Sequence, residues 1–204
     1  MPLPSLFVVA GPNGSGKSLF SKELTQSDFE VFDGDKHMTE LVKKYPETGS
    51  EALESYINNE IFEVEKRNAI QSRLNYAFET NFSAAAPMTS VVEFQKNGYL
   101  VHLIFMGLNS LEESIQRVAH RVRLGGHKVS EDSIRYNYEH GFLNLYQYFK
   151  DFDSVTIFDN AIAASEEPII PRQILFINHG KLHLQAKAYP EWVKPIIGAF
   201  DGSN

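Results

Sequence analysis

Short apolar runs recur along the chain, and each is followed by glycine or polar residues. Runs of this kind are typical of strands that are buried on both faces of a parallel sheet. From this pattern we predict five strands. They cover residues 6–9, 30–32, 76–79, 99–105 and 154–158.

Between these runs the apolar residues lie three or four positions apart, which is the spacing of one buried helix face. We predict helices over residues 19–24, 36–44, 51 to about 76, 87–97, 110–124, 130–149 and 190–200. Residues 172–177 and 181–184 predict a C-terminal hairpin turned at Gly180. Strands that alternate with helices indicate an α/β fold: a P-loop NTPase-like, doubly wound, mainly parallel sheet of five strands, with the hairpin as a small addition.

The composition limits the classes of partner. At 204 residues with 43% hydrophobic residues, we expect one domain over residues 1–204 with a sizeable core. The formal net charge of −7 argues against a nucleic-acid partner, which requires a basic face. The sequence has no cysteine, no leader before the first strand and no apolar run of about 18 residues. We therefore expect a soluble, cytoplasmic protein with no membrane partner.

The segment between the first strand and the first helix matches the phosphate-binding P-loop, Gly-x-x-x-x-Gly-Lys-Ser. Its residues are Gly11, Pro12, Asn13, Gly14, Ser15, Gly16, Lys17 and Ser18, followed by Leu19. Glycines let backbone N–H groups turn inward around a phosphate, and the helix N-terminus adds the positive end of its dipole. We predict that this segment binds ATP. Lys17, as a catalytic residue, would reach the β- and γ-phosphates, and the Ser18 hydroxyl would bind Mg²⁺.

Acidic residues follow two of the predicted strands at their carboxyl ends. Asp33 and Asp35 come after residues 30–32, and Glu79 and Thr80 come at the end of the third strand. Ligands of open parallel sheets gather at this edge, where a carboxylate can accept the proton of an attacking hydroxyl. The alternative for the aspartates is a turn and a helix N-cap, which Asp also favours. Glu79 is either a ligand of Mg²⁺ or substrate, or a cap of the next helix.

Positive charge is concentrated near the end of one predicted helix. The residues are Arg117, Arg121, Arg123, His127 and Lys128. Arg117 and Arg121 are four apart and share a helix face, where like charges repel unless an anion lies against them. The alternative is that these residues only complement the negative end of the helix dipole. In a chain of net charge −7 we favour a lid over residues 117–130 that faces a triphosphate.

Taken together, these motifs resemble the zeta-toxin family of P-loop kinases, in particular its compact branch. The resemblance extends over residues 7–160. It is carried by the P-loop, by Phe32-Asp33-Gly34-Asp35, by residues 78–83 (Phe-Glu-Thr-Asn-Phe-Ser), by residues 117–129 and by Phe158-Asp159-Asn160. The Arg-x-x-x-Arg…Gly-Gly-His-x-Val pattern within residues 117–129 is far more particular than the P-loop, which many unrelated NTPases share.

The resemblance implies a kinase that uses ATP and Mg²⁺. Members of the family phosphorylate a sugar hydroxyl of UDP-N-acetylglucosamine, a small nucleotide sugar, and are held inactive by a small antitoxin protein. By this resemblance Asp35 is the catalytic base and also contacts the acceptor. Glu79 and Thr80 belong to the acceptor side. Arg117 and Arg121 are the lid arginines that stabilise charge on the transferred phosphoryl group.

The chain departs from the family pattern in two places. It has Val129-Ser130-Glu131 where relatives usually have Val-Pro-Glu, and Tyr136-Asn137 where they usually have two arginines. The first hypothesis remains a kinase of a small metabolite. The second hypothesis is a regulatory NTP-binding module whose nucleotide state is recognised by a partner protein. The missing arginines favour this second hypothesis. A third, an ATPase acting on nucleic acid, is disfavoured by the acidic composition.

Overall fold

The computed structural model of the chain describes residues 2–25, 30–126, 128–160 and 171–201. A six-stranded sheet lies at its centre. The strands are β1 (Ser5–Ala10), β2 (Tyr76–Thr80), β3 (Leu100–Gly107), β4 (Ser154–Asp159), β5 (Arg172–Asn178) and β6 (Lys181–Leu184).

Helices cover both faces of this sheet. They are α1 (Lys17–Leu24), α2 (Gly34–Lys44), α3 (Ser50–Tyr56), α4 (Glu63–Ser72), α5 (Ala86–Lys96), α6 (Leu111–Arg123), α7 (Glu131–Tyr148) and α8 (Lys194–Asp201). A π-helical segment, Ile57–Phe62, joins α3 to α4. The helices match the segments predicted from apolar spacing except over residues 51 to about 76, where two α-helices and the π-helical segment replace one helix and the last turn ends at Ser72. Within the described ranges, no helix is long and apolar enough to cross a membrane.

The strands are ordered β2-β1-β3-β4-β5-β6 across the sheet. The first four strands of this order are parallel, and β5 and β6 are antiparallel to their neighbours. The α/β class and the mainly parallel sheet are therefore confirmed.

The predicted number of five strands is wrong. The strand expected at residues 30–32 is reduced to a single bridge between Phe32 and Phe78. It extends no further because the next residue, Asp33, already caps α2. The C-terminal hairpin, in contrast, belongs to the sheet, since β5 pairs with β4 and its Leu175 is fully buried.

The alternation of side chains along β1 divides the core in two. Leu6, Val8 and Ala10 belong to the larger hydrophobic cluster, which also contains side chains of α5, α7 and α8. Phe7 packs against a smaller cluster formed by Ile104, Met106 and Phe158, as does Phe20 of α1. Because successive residues of a strand point to opposite faces, the two clusters lie on the two sides of the sheet.

The topology determines where a ligand can lie. β1 runs between β2 and β3, and all three are parallel, so that their carboxyl ends share one edge. The P-loop leaves β1 at this edge, and β2 ends there at Thr80. Open α/β sheets bind ligands at such an edge, between loops that leave in different directions.

Trp192 closes the larger cluster where β3 ends. Its ring packs with Phe105 and Phe142 at centroid distances of 6.1 and 5.2 Å, and its Nε1 donates to Asn109 Oδ1 at 3.2 Å. A Cβ added to Gly107 would lie 2.2 Å from Trp192 Cζ2. The indole thus occupies the space that any side chain at this position would need.

Gly107→Ala is therefore expected to lower the free energy of unfolding by about 1–3 kcal/mol, because the added methyl group displaces a packed aromatic ring. Gly198→Ala in α8 is the matched control, since no described atom lies within 4 Å of its Cβ position and alanine favours a helix. Urea unfolding followed by tryptophan fluorescence measures both. An unchanged unfolding midpoint for Gly107→Ala would contradict this packing.

Candidate active site

The P-loop has a backbone conformation that requires glycine. Gly11, Gly14 and Gly16 have φ values of 144°, 76° and 93°. Space is limited as well, because a Cβ at Gly11 would lie 2.2 Å from the carbonyl oxygen of Met106, and one at Gly16 would lie 2.7 Å from Asn160 Nδ2. The loop therefore packs directly against the residues at the ends of β3 and β4.

Helix α1 begins within this loop and presents its N-terminus to the crevice. Gly16 is its N-cap residue, and no side chain among the described residues caps the helix. The Ser15 hydroxyl is buried and has no hydrogen-bond partner within the described ranges. Backbone N–H groups at a helix N-terminus are a ready site for an anion. The residues present thus fit a chain of phosphates.

Three side chains from other elements brace the loop. Ser114 Oγ of α6 donates to the carbonyl oxygen of Asn13 at 2.6 Å, and Asn137 Nδ2 of α7 donates to Asn13 Oδ1 at 2.9 Å. Asn160, directly after β4, donates through Nδ2 to the carbonyl oxygen of Ser15 at 2.8 Å. The shape of the P-loop therefore depends on the packing of α6, α7 and β4.

Lys17 lies at the centre of the site. Its Nζ donates to the carbonyl oxygens of Gly11 and Pro12 at 2.7 and 3.1 Å, and to Asn81 Oδ1 at 3.1 Å. Burial lowers the pKa of Lys17 below its usual range because it disfavours the charged ammonium.

Charged side chains surround this ammonium. Burial has the largest effect and lowers the pKa of Lys17. The carboxylates of Glu79, Asp35 and Asp33 raise this pKa, in that order of strength, and the charge of Arg121 lowers it. Coulomb interactions weaken with distance. The charge of Lys17 is thus influenced by Asp35, Glu79 and Arg121, which come from three other segments of the sequence.

Two carboxylates converge on the Ser18 hydroxyl. Ser18 Oγ lies 2.8 Å from Asp33 Oδ2 and 2.7 Å from Glu79 Oε2. Burial raises the pKa of Glu79, and the negative charge of Asp33 raises it further. Mg²⁺ prefers oxygen ligands and is usually bound by one or two carboxylates together with substrate phosphates. The donor set of Ser18, Asp33 and Glu79 therefore fits Mg²⁺.

The two aspartates of the Asp-Gly-Asp turn have different surroundings. Asp33 Oδ1 accepts hydrogen bonds from the backbone N–H groups of Asp35 and Lys36 at 3.0 and 3.2 Å, so that this residue is the N-cap of α2. Asp35 lies in the first turn of α2, and its side chain is exposed. Asp33 thus both caps the helix and contacts Ser18, while the carboxylate of Asp35 faces solvent.

Thr80 and Arg117 have structural partners of their own. Thr80 Oγ1 accepts a hydrogen bond from the N–H of Phe82 at 2.9 Å. The Arg117 guanidinium donates to Glu113 Oε1 at 2.7 Å, one helical turn earlier, and to the carbonyl oxygen of Asn160 at 2.5 Å. The Glu113 carboxylate thus supplies an anion against Arg117 from within α6 itself.

The remainder of the predicted lid is partly described. α6 ends at Arg123, and Gly125 follows with a φ of 91°. Arg123 and Lys128 are exposed, whereas His127 lies outside the described residues.

The sequence named Asp33 together with Asp35, either as carboxylates at the ligand edge or as turn and cap residues, and Asp33 both caps α2 and contacts Ser18. Two other polar residues of this site had no role assigned from the sequence. Asn81 and Asn160 follow β2 and β4, where polar residues at carboxyl ends of strands reach the ligand edge. Their contacts with Lys17 and Ser15 depend on the tertiary fold, which no local pattern specifies.

Two solved structures share this fold. A structure of AvrRxo1-ORF1:-ORF2 with ATP superimposes with a TM-score of 0.65 at 13% identity, over 89% of this chain and 60% of that chain. A structure from the PezAT chromosomal toxin-antitoxin system of Streptococcus pneumoniae gives a TM-score of 0.60 at 15% identity, over 78% of this chain and 68% of that chain. The chain thus spans about three fifths of the AvrRxo1 chain, and at these identities the likeness is one of fold.

Sequence comparison adds a relative and a family. The chain is 27% identical over 136 residues to an uncharacterized protein of Haemophilus influenzae, an alignment that covers 63% of this chain and 88% of that protein. The sequence model of the zeta toxin family matches residues 2–165, a range that includes the P-loop, the carboxylates and α6. The chain therefore belongs to the zeta toxin family.

Proposed function

We propose that this chain is a kinase that transfers the γ-phosphoryl group of ATP, with Mg²⁺, to a hydroxyl group of a small metabolite. The observation that supports this most is the geometry of the P-loop, in which Lys17 Nζ lies against the loop carbonyl oxygens and Ser18 Oγ contacts both Asp33 and Glu79. Membership of the zeta toxin family supports the same class of reaction. The acceptor that we propose is UDP-N-acetylglucosamine.

Asp35 is the general base in this proposal. Its exposed carboxylate can accept the proton of the acceptor hydroxyl while the hydroxyl oxygen forms its bond to the γ-phosphorus and the bond to ADP breaks. Glu79 and Thr80 lie at the end of the neighbouring strand and form part of the acceptor-binding side of the site. Phosphoryl transfer needs mainly positioning and charge stabilisation, which this arrangement supplies.

Lys17 and the lid arginines carry the phosphate charge. Lys17 holds the β- and γ-phosphate oxygens, and Arg121 stabilises the charge that develops on the transferred group, with residues 117–130 acting as the lid. Arg117 contributes through its bond to the carbonyl oxygen of Asn160, next to the loop that cradles the phosphates.

Ser18, Asp33 and Glu79 would hold Mg²⁺. When bound, the cation neutralises charge on the β- and γ-phosphate oxygens. Asp33 keeps its position as a ligand because its second oxygen is fixed by two backbone N–H groups of α2.

We propose a small antitoxin protein as the partner that holds the enzyme inactive. The similarity to a structure from the PezAT toxin-antitoxin system supports this partner.

A regulatory nucleotide-binding module is the second candidate. The bracing of the P-loop by Ser114 of α6 and Asn137 of α7 favours it, because movement of either helix would be coupled to the loop. A partner that contacts these helices could then distinguish the nucleotide-bound protein from the nucleotide-free protein without any phosphate transfer.

Phosphorus NMR of the protein with ATP, Mg²⁺ and UDP-N-acetylglucosamine tests the proposal directly. The kinase predicts a new phosphomonoester resonance together with ADP. ADP and free phosphate alone would require a different acceptor, to be sought in a metabolite screen. ATP binding with no turnover of any acceptor would favour the regulatory module.

Asp35→Asn is expected to lower the rate of acceptor phosphorylation by about 10²–10⁴-fold, because the amide cannot accept the hydroxyl proton. ATP affinity, measured by calorimetry, should stay within about twofold, since Asp35 does not hold the phosphates. Glu40→Gln, an exposed carboxylate of the same helix, is the matched control. A variant as active as the wild type would exclude Asp35 as the base.

Arg121→Ala is expected to lower kcat by about 10²–10³-fold while weakening ATP binding much less, because the guanidinium acts on charge that develops in the transition state. Arg67→Ala, an exposed arginine of α4 outside the lid, is the control. Steady-state kinetics over a range of ATP concentrations separate kcat from KM. If kcat were the same for both variants, Arg121 would not act on the transition state.

Glu79→Gln is expected to increase the free energy of unfolding at neutral pH while weakening Mg²⁺-dependent ATP binding. Burial and Asp33 raise the pKa of Glu79, so that stability is lost as the pH rises through that pKa. The advantage of the glutamine should therefore disappear as the pH falls below 4.5, the ordinary pKa of the carboxyl. Urea unfolding between pH 4 and 7.5 without Mg²⁺, with Glu47→Gln as control, measures this. A difference independent of pH would contradict the cause given.

A further inference from the structure

Asn81 lies beside Lys17 and had no assigned role. It directly follows β2, and its Oδ1 accepts a hydrogen bond from Lys17 Nζ at 3.1 Å. The next residue, Phe82, is fully buried and has a φ of 57°, a left-handed conformation that is rare for a bulky residue. Such a conformation persists only where the surroundings enforce it.

Contacts around Asn81 hold Phe82 in this left-handed conformation. The N–H of Phe82 donates to Thr80 Oγ1 at 2.9 Å, and its carbonyl oxygen accepts from Asn144 Nδ2 of α7 at 2.8 Å. A Cβ at Gly141 of α7 would lie 2.7 Å from the carbonyl oxygen of Asn81, so that the two backbones are in direct contact. The main chain at Asn81 and Phe82 is thus held by contacts with Thr80 and with α7.

The chemistry of the two side chains limits what this contact can do. An ammonium has three N–H donors and no acceptor, and Lys17 directs its donors at two P-loop carbonyl oxygens and at Asn81 Oδ1. The carboxamide of Asn81 also carries two N–H donors on Nδ2, and no described residue accepts a hydrogen bond from them. Asparagine can therefore accept from the lysine and donate to an anion that the same lysine holds.

We infer that Asn81 recognises the γ-phosphate of ATP, by donating from Nδ2 to a γ-phosphate oxygen while Oδ1 keeps Lys17 in place. The residue then makes the site prefer ATP to ADP. An aspartate could hold Lys17 but would repel the phosphate. An alanine could neither hold Lys17 nor donate a hydrogen bond to the phosphate. This inference rests on the nucleotide binding of the proposed function and does not depend on any acceptor.

Calorimetric titration with ADP and with the non-hydrolysable β,γ-imido analogue of ATP, both with Mg²⁺, tests the inference. In Asn81→Ala we expect the affinity for the ATP analogue to fall about tenfold, the loss of one hydrogen bond to a charged group, with ADP affinity within about twofold. In Asn81→Asp the loss for the ATP analogue should be larger still. Asn75→Ala is the control, because Asn75 bonds the N–H of Ser5 beyond the opposite end of β2.

Equal losses for ADP and the ATP analogue in Asn81→Ala, or no loss for the analogue in either variant, would overturn the inference. Thermal unfolding verifies that each variant is folded, and Asn81→Asp, which keeps the shape of the side chain, decides the matter should the alanine variant be unstable. The readout is separate from that of the kinase. Selective loss of ATP binding in a protein that phosphorylates no acceptor would support Asn81 and refute the kinase proposal.

Discussion

The charge of the Lys17 ammonium is the feature on which the site depends. Burial disfavours this charge, and three oxygen acceptors together with the carboxylates of Glu79, Asp35 and Asp33 offset the cost. These groups come from the P-loop, from the start of α2 and from the end of β2. They can surround the ammonium only after β1 and β2 have paired in register, so the site forms as a consequence of the sheet.

The P-loop likewise takes its shape from its surroundings. Its left-handed glycines have many accessible conformations in an unfolded chain, and fixing them costs conformational entropy. Hydrogen bonds from Ser114, Asn137 and Asn160 offset part of this cost. Because these residues lie in or next to α6, α7 and β4, the packing of the C-terminal half of the chain determines the geometry of a loop near its start.

Sequence reasoning succeeded where the information is local and fell short where it is tertiary. The glycine spacing of the P-loop and the apolar spacing of the helices are local, and both predicted the observed structure. The hairpin has the same alternation whether it stands alone or joins a sheet, so only the pairing of β5 with β4 showed that both hairpin strands belong to the sheet. Asp33 can be a cap or a ligand by residue type, and it has contacts of both kinds. Asn81 lies within residues 78–83, but its role could not be read from them because its contact with Lys17 joins residues 64 positions apart.

The balance of charge supports the proposal that this site uses a divalent cation. Asp33, Asp35 and Glu79 bring three carboxyl groups to an edge where polyphosphate is also to bind, and Lys17 and Arg121 do not by themselves neutralise both. Burial raises the pKa of Glu79, and the negative charge of Asp33 raises it further. A cation held between Ser18, Asp33 and Glu79 would relieve this repulsion and attract the phosphates at once. On this proposal, the crowding of carboxylates would favour the binding of nucleotide together with metal over nucleotide alone.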